Sequence, residues 1–206
     1  MTQFRKYKKE TRQEIIRVSR KLFMEFGFRA VSTRRIAETC GITQPTLYHY
    51  FKNKEEIYLE VIRTELYEAQ IRIEKIVTHY HDQIPECLFQ VTFTILHQSP
   101  KDLSQMFRDI ETELDERHKG TIIKWWQEAY LLPIASVFEE GIKKGEVRNP
   151  AQFNTPPITA AQLLLNLINQ FAVEPGLTEE ESIKFAKEQA SLYTNVLLYG
   201  LLSSEQ

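Results

Sequence analysis

Gln44, Thr46, Tyr48, His49 and Tyr50 crowd hydrogen-bonding side chains into one short segment, and Lys54 follows four positions later. A glutamine amide donates and accepts at once, so it can pair bidentately with the edge of an adenine. Thr46 and Pro45 offer small apolar surfaces that pack on a thymine methyl, and Lys54 can neutralise a phosphate. This chemistry is recognition of a duplex rather than bond breaking. Groups suited to catalysis are sparse. His79 and His81 are two apart, so on a helix they point to different sides and cannot chelate as an i, i+4 pair would. Asp109, Glu111, Glu113, Asp115 and Glu116 alternate instead of lining a cleft and read as a solvated face. Neither a glycine-rich phosphate loop nor G-x-S-x-G occurs. The sequence therefore predicts no enzyme, no metal site and no cofactor.

Two short helices and a tight turn must position the polar segment. Ser32 is an N-cap for a helix through Thr33, Ile36 and Ala37 to Cys40, because its hydroxyl can accept from an otherwise unpaired amide. Gly41 follows where a left-handed residue commonly ends a helix. Ile42 can plug the angle between the helices. Thr43 is a second N-cap, and Pro45 sits in the next first turn, where its missing N–H does no harm. Leu47 and Phe51, four apart, make one apolar face. Asn53 caps a third helix, with Glu56 completing a capping-box-like pair. A helix, a short glycine turn and a second short helix form a helix-turn-helix.

The pattern Thr33, Ile36, Ala37, Gly41, Ile42, Thr43, Leu47, Tyr48, Tyr50, Phe51, Lys54, Glu55 resembles the N-terminal domain of the TetR family of transcriptional regulators. Upstream, Ile15, Ile16, Ser19, Leu22 and Phe23 lead to Gly27, as the family's first helix does. The specific resemblance covers roughly residues 10 to 63. It implies DNA contacts for Thr33 and Arg34, which open the helix before the recognition helix. Gln44, Pro45 and Thr46, behind the cap Thr43, resemble its base-reading start. Tyr48 and Tyr50 resemble phosphate and groove contacts, with packing inside the small domain as the plainer alternative. His49 is open between a DNA contact and a solvated surface residue. Lys54, at a helix N-terminus, resembles a phosphate clamp.

Charge supports that reading once the chain is split. The whole chain of 206 residues has a net charge of −2. Residues 1–64 hold 14 Lys and Arg against 7 acidic residues, a net of +7, and residues 65–206 hold 12 against 21, a net of −9. A basic head on an acidic body is the footprint of a protein that docks one end onto phosphate. Arg5, Lys6, Lys8, Lys9 and Arg12 concentrate the charge early, as a solvated tail or as an arm that touches DNA. Cys40 and Cys87 form no pair pattern, which fits a reduced cytoplasmic protein. No apolar run reaches the roughly 18–20 residues that span a bilayer, and the N-terminus lacks the apolar segment of a signal peptide.

The remaining pattern is helical throughout, so the expected fold is all-α. It comprises a helix-turn-helix domain over residues 1–53 and a larger effector-binding and dimerisation domain over 54–206. Helices are expected over Lys54–Val77, Pro85–Ser99, Leu103–Ile110 behind an Asp102 cap, and Lys119–Lys143 with a kink at Pro133. The last two, Ile158–Val173 and Glu179–Leu202, are joined by Glu174-Pro175-Gly176. Leu163–Ile168 and Phe171 make the first of this pair apolar around much of its circumference, so it must be buried on more than one side. A twofold-related copy would cover the second side, with a monomer thick enough to bury both faces as the alternative, and the TetR resemblance implies the homodimer. It also implies a pocket for a small effector. Phe89, Phe93, Met106, Phe107, Trp125, Trp126 and Tyr130 are candidate apolar lining, with His97, Gln127, Asn166 and Asn169 as polar anchors; plain core is the alternative for each. The function implied is a repressor released from a palindromic operator by a largely apolar ligand. The rival readings are a helical protein-binding adaptor and a regulator with no effector.

Overall fold

The structure, a computed structural model, describes residues 2–98, 103–147, 155–169 and 178–200, with side chains at 2–6, 98 and 103–107 outside the description. Every regular element among the described residues is a helix. The all-α expectation holds. The chain divides into two compact units, Met1–Leu66 with Asp102–Trp125, and Tyr67–Lys101 with Trp126–Gln206. This grouping follows packing rather than chain order, so it does not coincide with a cut at residue 53.

The first unit begins with α1 (Thr2–Ala30). The basic run is thus the opening of a helix and not an extended tail. Arg12 turns inward, pairing with Glu60 at 3.0 Å and lying 4.8 Å from the centroid of the Phe51 ring. Gly27 interrupts α1 with φ 76° and ψ 163°, a conformation that a side chain would oppose. That turn takes the Phe28 amide out of the helical ladder, and it donates to Asp109 Oδ2 at 2.8 Å. Phe28 also stacks beside Tyr58, with centroids 4.9 Å apart, and its carbonyl accepts from Lys54 Nζ at 2.9 Å.

Helices α2 (Thr33–Thr39) and α3 (Gln44–Tyr48) follow, then the start of α4 (Lys54–His79). Ile15, Phe23, Ile36, Leu47, Phe51, Ile57 and Val61 form a shared interior, none more than 2% exposed. Helices α6 (Leu103–Glu113) and α7 (Glu116–Trp126) complete the unit, α6 lying against α1. The acidic residues read as a solvated face are partly structural. Asp109 is 6% exposed and holds the Phe28 amide. Glu113 accepts from Arg29 at 2.8 Å, and Asp115 Oδ1 caps α7 by accepting from the His118 amide at 2.8 Å. Sequence spacing could not show that an amide 81 residues upstream, freed by a glycine turn, is in need of a carboxylate.

The second unit holds the rest of α4, α5 (Ile84–Gln98), a π-helical turn at Gln127–Leu131, α8 (Leu132–Lys144), α9 (Pro157–Asn169) and α10 (Glu179–Tyr199). Its core joins Ile73, Leu88, Val91, Ile134, Phe138, Ala161, Leu164 and Ala190. The kink expected at Pro133 takes the form of the π turn just before it. Proline has no N–H for a carbonyl one turn back, and the preceding residues rewind so that the Leu132 amide reaches the Gln127 carbonyl. Gly145, at φ 74°, ends α8, and the Gly141 carbonyl accepts from Val147 at 3.0 Å. Thr178 and Glu181 form a reciprocal capping box at the start of α10. Asp102, Phe171 and Glu174-Pro175-Gly176 lie outside the described residues.

Candidate nucleic-acid interface

The turn is built as its residues dictate. Ser32 Oγ accepts from the Arg35 amide at 3.1 Å, opening α2. Gly41 adopts φ 66°, and the Ile42 amide returns to the Ala37 carbonyl at 3.0 Å. Thr43 Oγ1 then accepts from the Thr46 amide at 3.3 Å and lies 2.8 Å from the Thr46 hydroxyl. With Leu47 wholly buried, α3 is anchored by one face and leaves the other outward. Asn53 caps α4 by accepting from Glu56 at 2.8 Å. Glu56 reaches back to the Lys52 amide at 2.6 Å, one residue beyond the Asn53 amide expected as its partner.

On the outer side, the structure gathers Thr33, Gln44 and Tyr48. Gln44 Nε2 donates to Thr33 Oγ1 at 3.1 Å and lies 3.5 Å from Tyr48 Oη, and the two hydroxyls are 3.2 Å apart. Hydrogen bonds from Thr33 and then Gln44 hold the Tyr48 phenol below its ordinary pKa. Tyr48 is 47% exposed, so packing inside the domain does not account for it. Pro45 and His49 are exposed, Thr46 and Tyr50 half-buried. Arg34 is exposed and paired with Glu38 at 2.8 Å, a contact weak enough for a competing anion to replace. Lys54 sits at the start of α4 with its ammonium on the Phe28 carbonyl and 4.0 Å from that ring's centroid. Arg20 and Arg29 are occupied by Glu65 and Glu113, so the sequence charge of the head overstates what it presents.

Four of the ligand-binding candidates, Phe89, Phe93, Trp126 and Tyr130, pack against the core of the second unit. Phe89, Phe93 and His97 stack along α5, with centroids 6.3 Å and then 5.4 Å apart. Trp126 and Tyr130 pack together at 6.3 Å, and both, like Phe89 and Phe93, lean on the second unit's core. His97 Nδ1 is buried without a hydrogen-bond partner. Asn166 and Asn169 are exposed on α9, and Gln127 is also exposed. Trp125 belongs to the first unit, 5.9 Å from the Arg63 guanidinium, and the side chains of Met106 and Phe107 lie outside the description. A groove of about 430 Å³ opens elsewhere in the second unit, between Gln70, Glu74, Val77 and Thr78 of α4 and Glu128, Leu132, Pro133 and Ser136. None of its lining was expected from sequence; the one available signal was the kink at Pro133. Burial pushes the Cys40 and Cys87 thiols up to about 11, so neither is a ready nucleophile.

A capped, glycine-turned helix pair with an outward polar α3 defines a helix-turn-helix protein. Residues 15–61 match the bacterial regulatory proteins of the tetR family. An uncharacterized HTH-type transcriptional regulator of Bacillus subtilis, YhgD, is 26% identical over 82% of this chain and 88% of its own. An HTH-type transcriptional regulator of Staphylococcus aureus is 35% identical over 52% of this chain, and the match spans 57% of that relative. Among solved structures, the regulator FadR of Bacillus subtilis in complex with stearoyl-CoA shares the fold, with a TM-score of 0.71 at 19% identity, covering 92% of this chain and 99% of that one. Residues 15–61 thus carry the DNA-binding domain of the TetR family of transcriptional regulators, and the whole chain shares that family's fold. That family consists of DNA-binding regulators, not enzymes.

Proposed function

We propose that the chain is a cytoplasmic repressor that binds a palindromic operator as a homodimer and leaves it when a small, largely apolar ligand binds. The observation that carries the DNA-reading part is the outward cluster of Thr33, Gln44 and Tyr48 on the capped helix pair. In this reading residues 1–53 engage DNA and residues 54–206 bind the effector and the second copy. Gln44, Pro45 and Thr46 meet base edges, while Thr33, Arg34, Tyr48, Tyr50 and Lys54 engage the backbone, with Thr43 holding the helix start. His49, exposed beside them, takes part as a groove contact. Among the described residues no helix is long and apolar enough to cross a membrane.

The dimer is supported by what α9 and α10 leave uncovered. Each buries one face, yet Ile158, Leu163, Leu192 and Tyr199 are 38%, 46%, 52% and 64% exposed. A second copy related by a twofold axis would cover such faces. The ligand part rests on the half-buried aromatic residues of the second unit and on the fold shared with a regulator seen with stearoyl-CoA. A ligand that binds better to the form whose heads are misplaced for adjacent half-sites shifts the population away from DNA.

Binding to operator duplex should fall steeply with salt, because displaced counterions drive it. An adaptor whose head binds protein would lack that dependence on added duplex. Sedimentation showing only monomer at micromolar concentration, with or without DNA, would remove the dimer.

A further inference from the structure

We propose that the groove beside the π-helical turn is a binding site for a small organic ammonium ion with an apolar body. All of its lining belongs to the second unit. Its role rests on the reading that this unit binds an effector, to which it adds a charge and a seat.

The π turn shapes one wall. Over Gln127–Leu131 the chain winds wider than an α-helix, and Pro133 then contributes no N–H. Such turns recur at functional sites. Leu132, directly after the turn, is 53% exposed, although Ile134 and Ala135 beyond it are buried. Together with Pro133 and with Val77 of α4, it gives the groove an apolar surface. The volume of about 430 Å³ lies in the range that holds a small molecule.

The polar part of the groove is made of acceptors. Glu74 of α4 and Glu128 of the π turn bring carboxylates from two different elements. Among the described residues neither carboxylate is in an ion pair, and no lysine or arginine lines the groove. The hydroxyls are turned the same way. Thr78 Oγ1 donates to the Glu74 carbonyl at 2.8 Å, and Ser136 Oγ donates to the Pro133 carbonyl at 2.7 Å. A hydroxyl has a single hydrogen, so both present lone pairs to an occupant. Gln70 also donates to Glu74, at 2.8 Å.

Charge and surface together select the occupant. An anion would be repelled by Glu74 and Glu128. A neutral apolar molecule would strip water from both carboxylates and return nothing. A protonated amine offers N–H donors and a positive charge to these acceptors, while its hydrocarbon part covers Leu132, Pro133 and Val77.

The test uses the full-length protein and three probes of one shape: phenylbutylamine, protonated at neutral pH, the neutral phenylbutanol and the anionic phenylbutyrate. Titrations are followed by backbone amide shifts in proton–nitrogen NMR spectra at low salt. The amine should bind with a Kd of about 1 mM or tighter, the alcohol about tenfold more weakly, and the carboxylate not measurably. Shifts should centre on Thr78, Glu128 and Ser136. Glu74→Gln and Glu128→Gln should each weaken the amine about threefold or more, whereas Glu139→Gln, on α8 outside the groove, should leave it unchanged. These side chains are exposed, so the carboxamides leave folding intact. The site is overturned if the alcohol binds within about twofold of the amine, if shifts centre elsewhere, or if both carboxamide variants bind as the wild type does. Fluorescence anisotropy with a selected duplex separates the effector reading. Amine bound at the groove without release of DNA leaves the site standing and removes its effector role. Release by a neutral apolar compound, with no amine binding, keeps an effector and overturns the site.

Discussion

Replacing Asp109 by alanine tests whether the bend in α1 depends on a carboxylate from α6. Gly27 turns the backbone to φ 76°, and the Phe28 amide that follows donates to Asp109 Oδ2 at 2.8 Å. Asp109 is 6% exposed, and Phe28 is 4% exposed. Water therefore has little access to the amide when the carboxylate is gone. A buried donor left unpaired costs about 1–3 kcal/mol, and a hydrogen bond to a charged group is at the stronger end. About 2 kcal/mol corresponds to a fall in Tm of about 4–8 °C in a chain of this length. Asp109→Asn keeps a carbonyl oxygen for the amide and should lose roughly half as much. Melting followed by far-ultraviolet circular dichroism reads both variants. If Asp109→Ala melts within about 1 °C of the wild type, the contact contributes nothing net and the reasoning fails.

Gly141→Ala should destabilise by about 1–3 kcal/mol, because a Cβ there would stand 2.6 Å from Val147 Cγ2 and 3.2 Å from Ile84 Cγ2; an unchanged urea midpoint would contradict it. Thr43→Ala removes the cap of a five-residue helix and should lower stability by about 1 kcal/mol. In the same variant, weaker binding to all duplexes alike is expected in a titration against selected and random DNA. The Lys144–Asp82 contact at 2.8 Å predicts a pH window. Its hydrogen bond to Lys144, with help from His81, holds the Asp82 carboxyl below the usual range, and the same bond to Asp82 raises Lys144. The Asp82 contribution is present above the ordinary carboxylate pKa and fades as pH falls through the depressed value. The Lys144 contribution is present below the ordinary lysine pKa and fades as pH rises through the raised value. The small difference in urea midpoint between wild type and Lys144→Met should therefore be greatest between those limits. A difference that persists unchanged in acid would refute the assignment.

Local rules made the helix pair legible. Ser32, Gly41, Thr43 and Asn53 each specify a backbone state through one side chain or its absence, and each takes the role its type dictates. Burial of Leu47 and Phe51 follows from their spacing of four. What escaped depends on partners distant in sequence. Asp109 looks like its acidic neighbours until the Phe28 amide is brought to it, and α6 joins the first unit through contacts that no periodicity reports. The same limit applied to Gln44. Its type suggests a base contact, and only the folded turn shows Thr33, 11 residues earlier, against its amide nitrogen. For the ligand candidates spacing alone decides little, since an aromatic stripe on α5 serves equally well as core, and Asn166 and Asn169 are exposed on α9.

The central claim is that two copies of this helix pair read operator DNA. Selection of bound duplexes from a random pool by the full-length protein tests it most directly. The account predicts an inverted repeat whose half-sites place the two α3 helices about 34–36 Å apart, or a multiple of that. It also predicts that Gln44→Ala changes the selected base at one position per half-site. Recovery of no common sequence, or of a single unrepeated site unaffected by substitutions at Gln44, Tyr48 and Lys54, would contradict it.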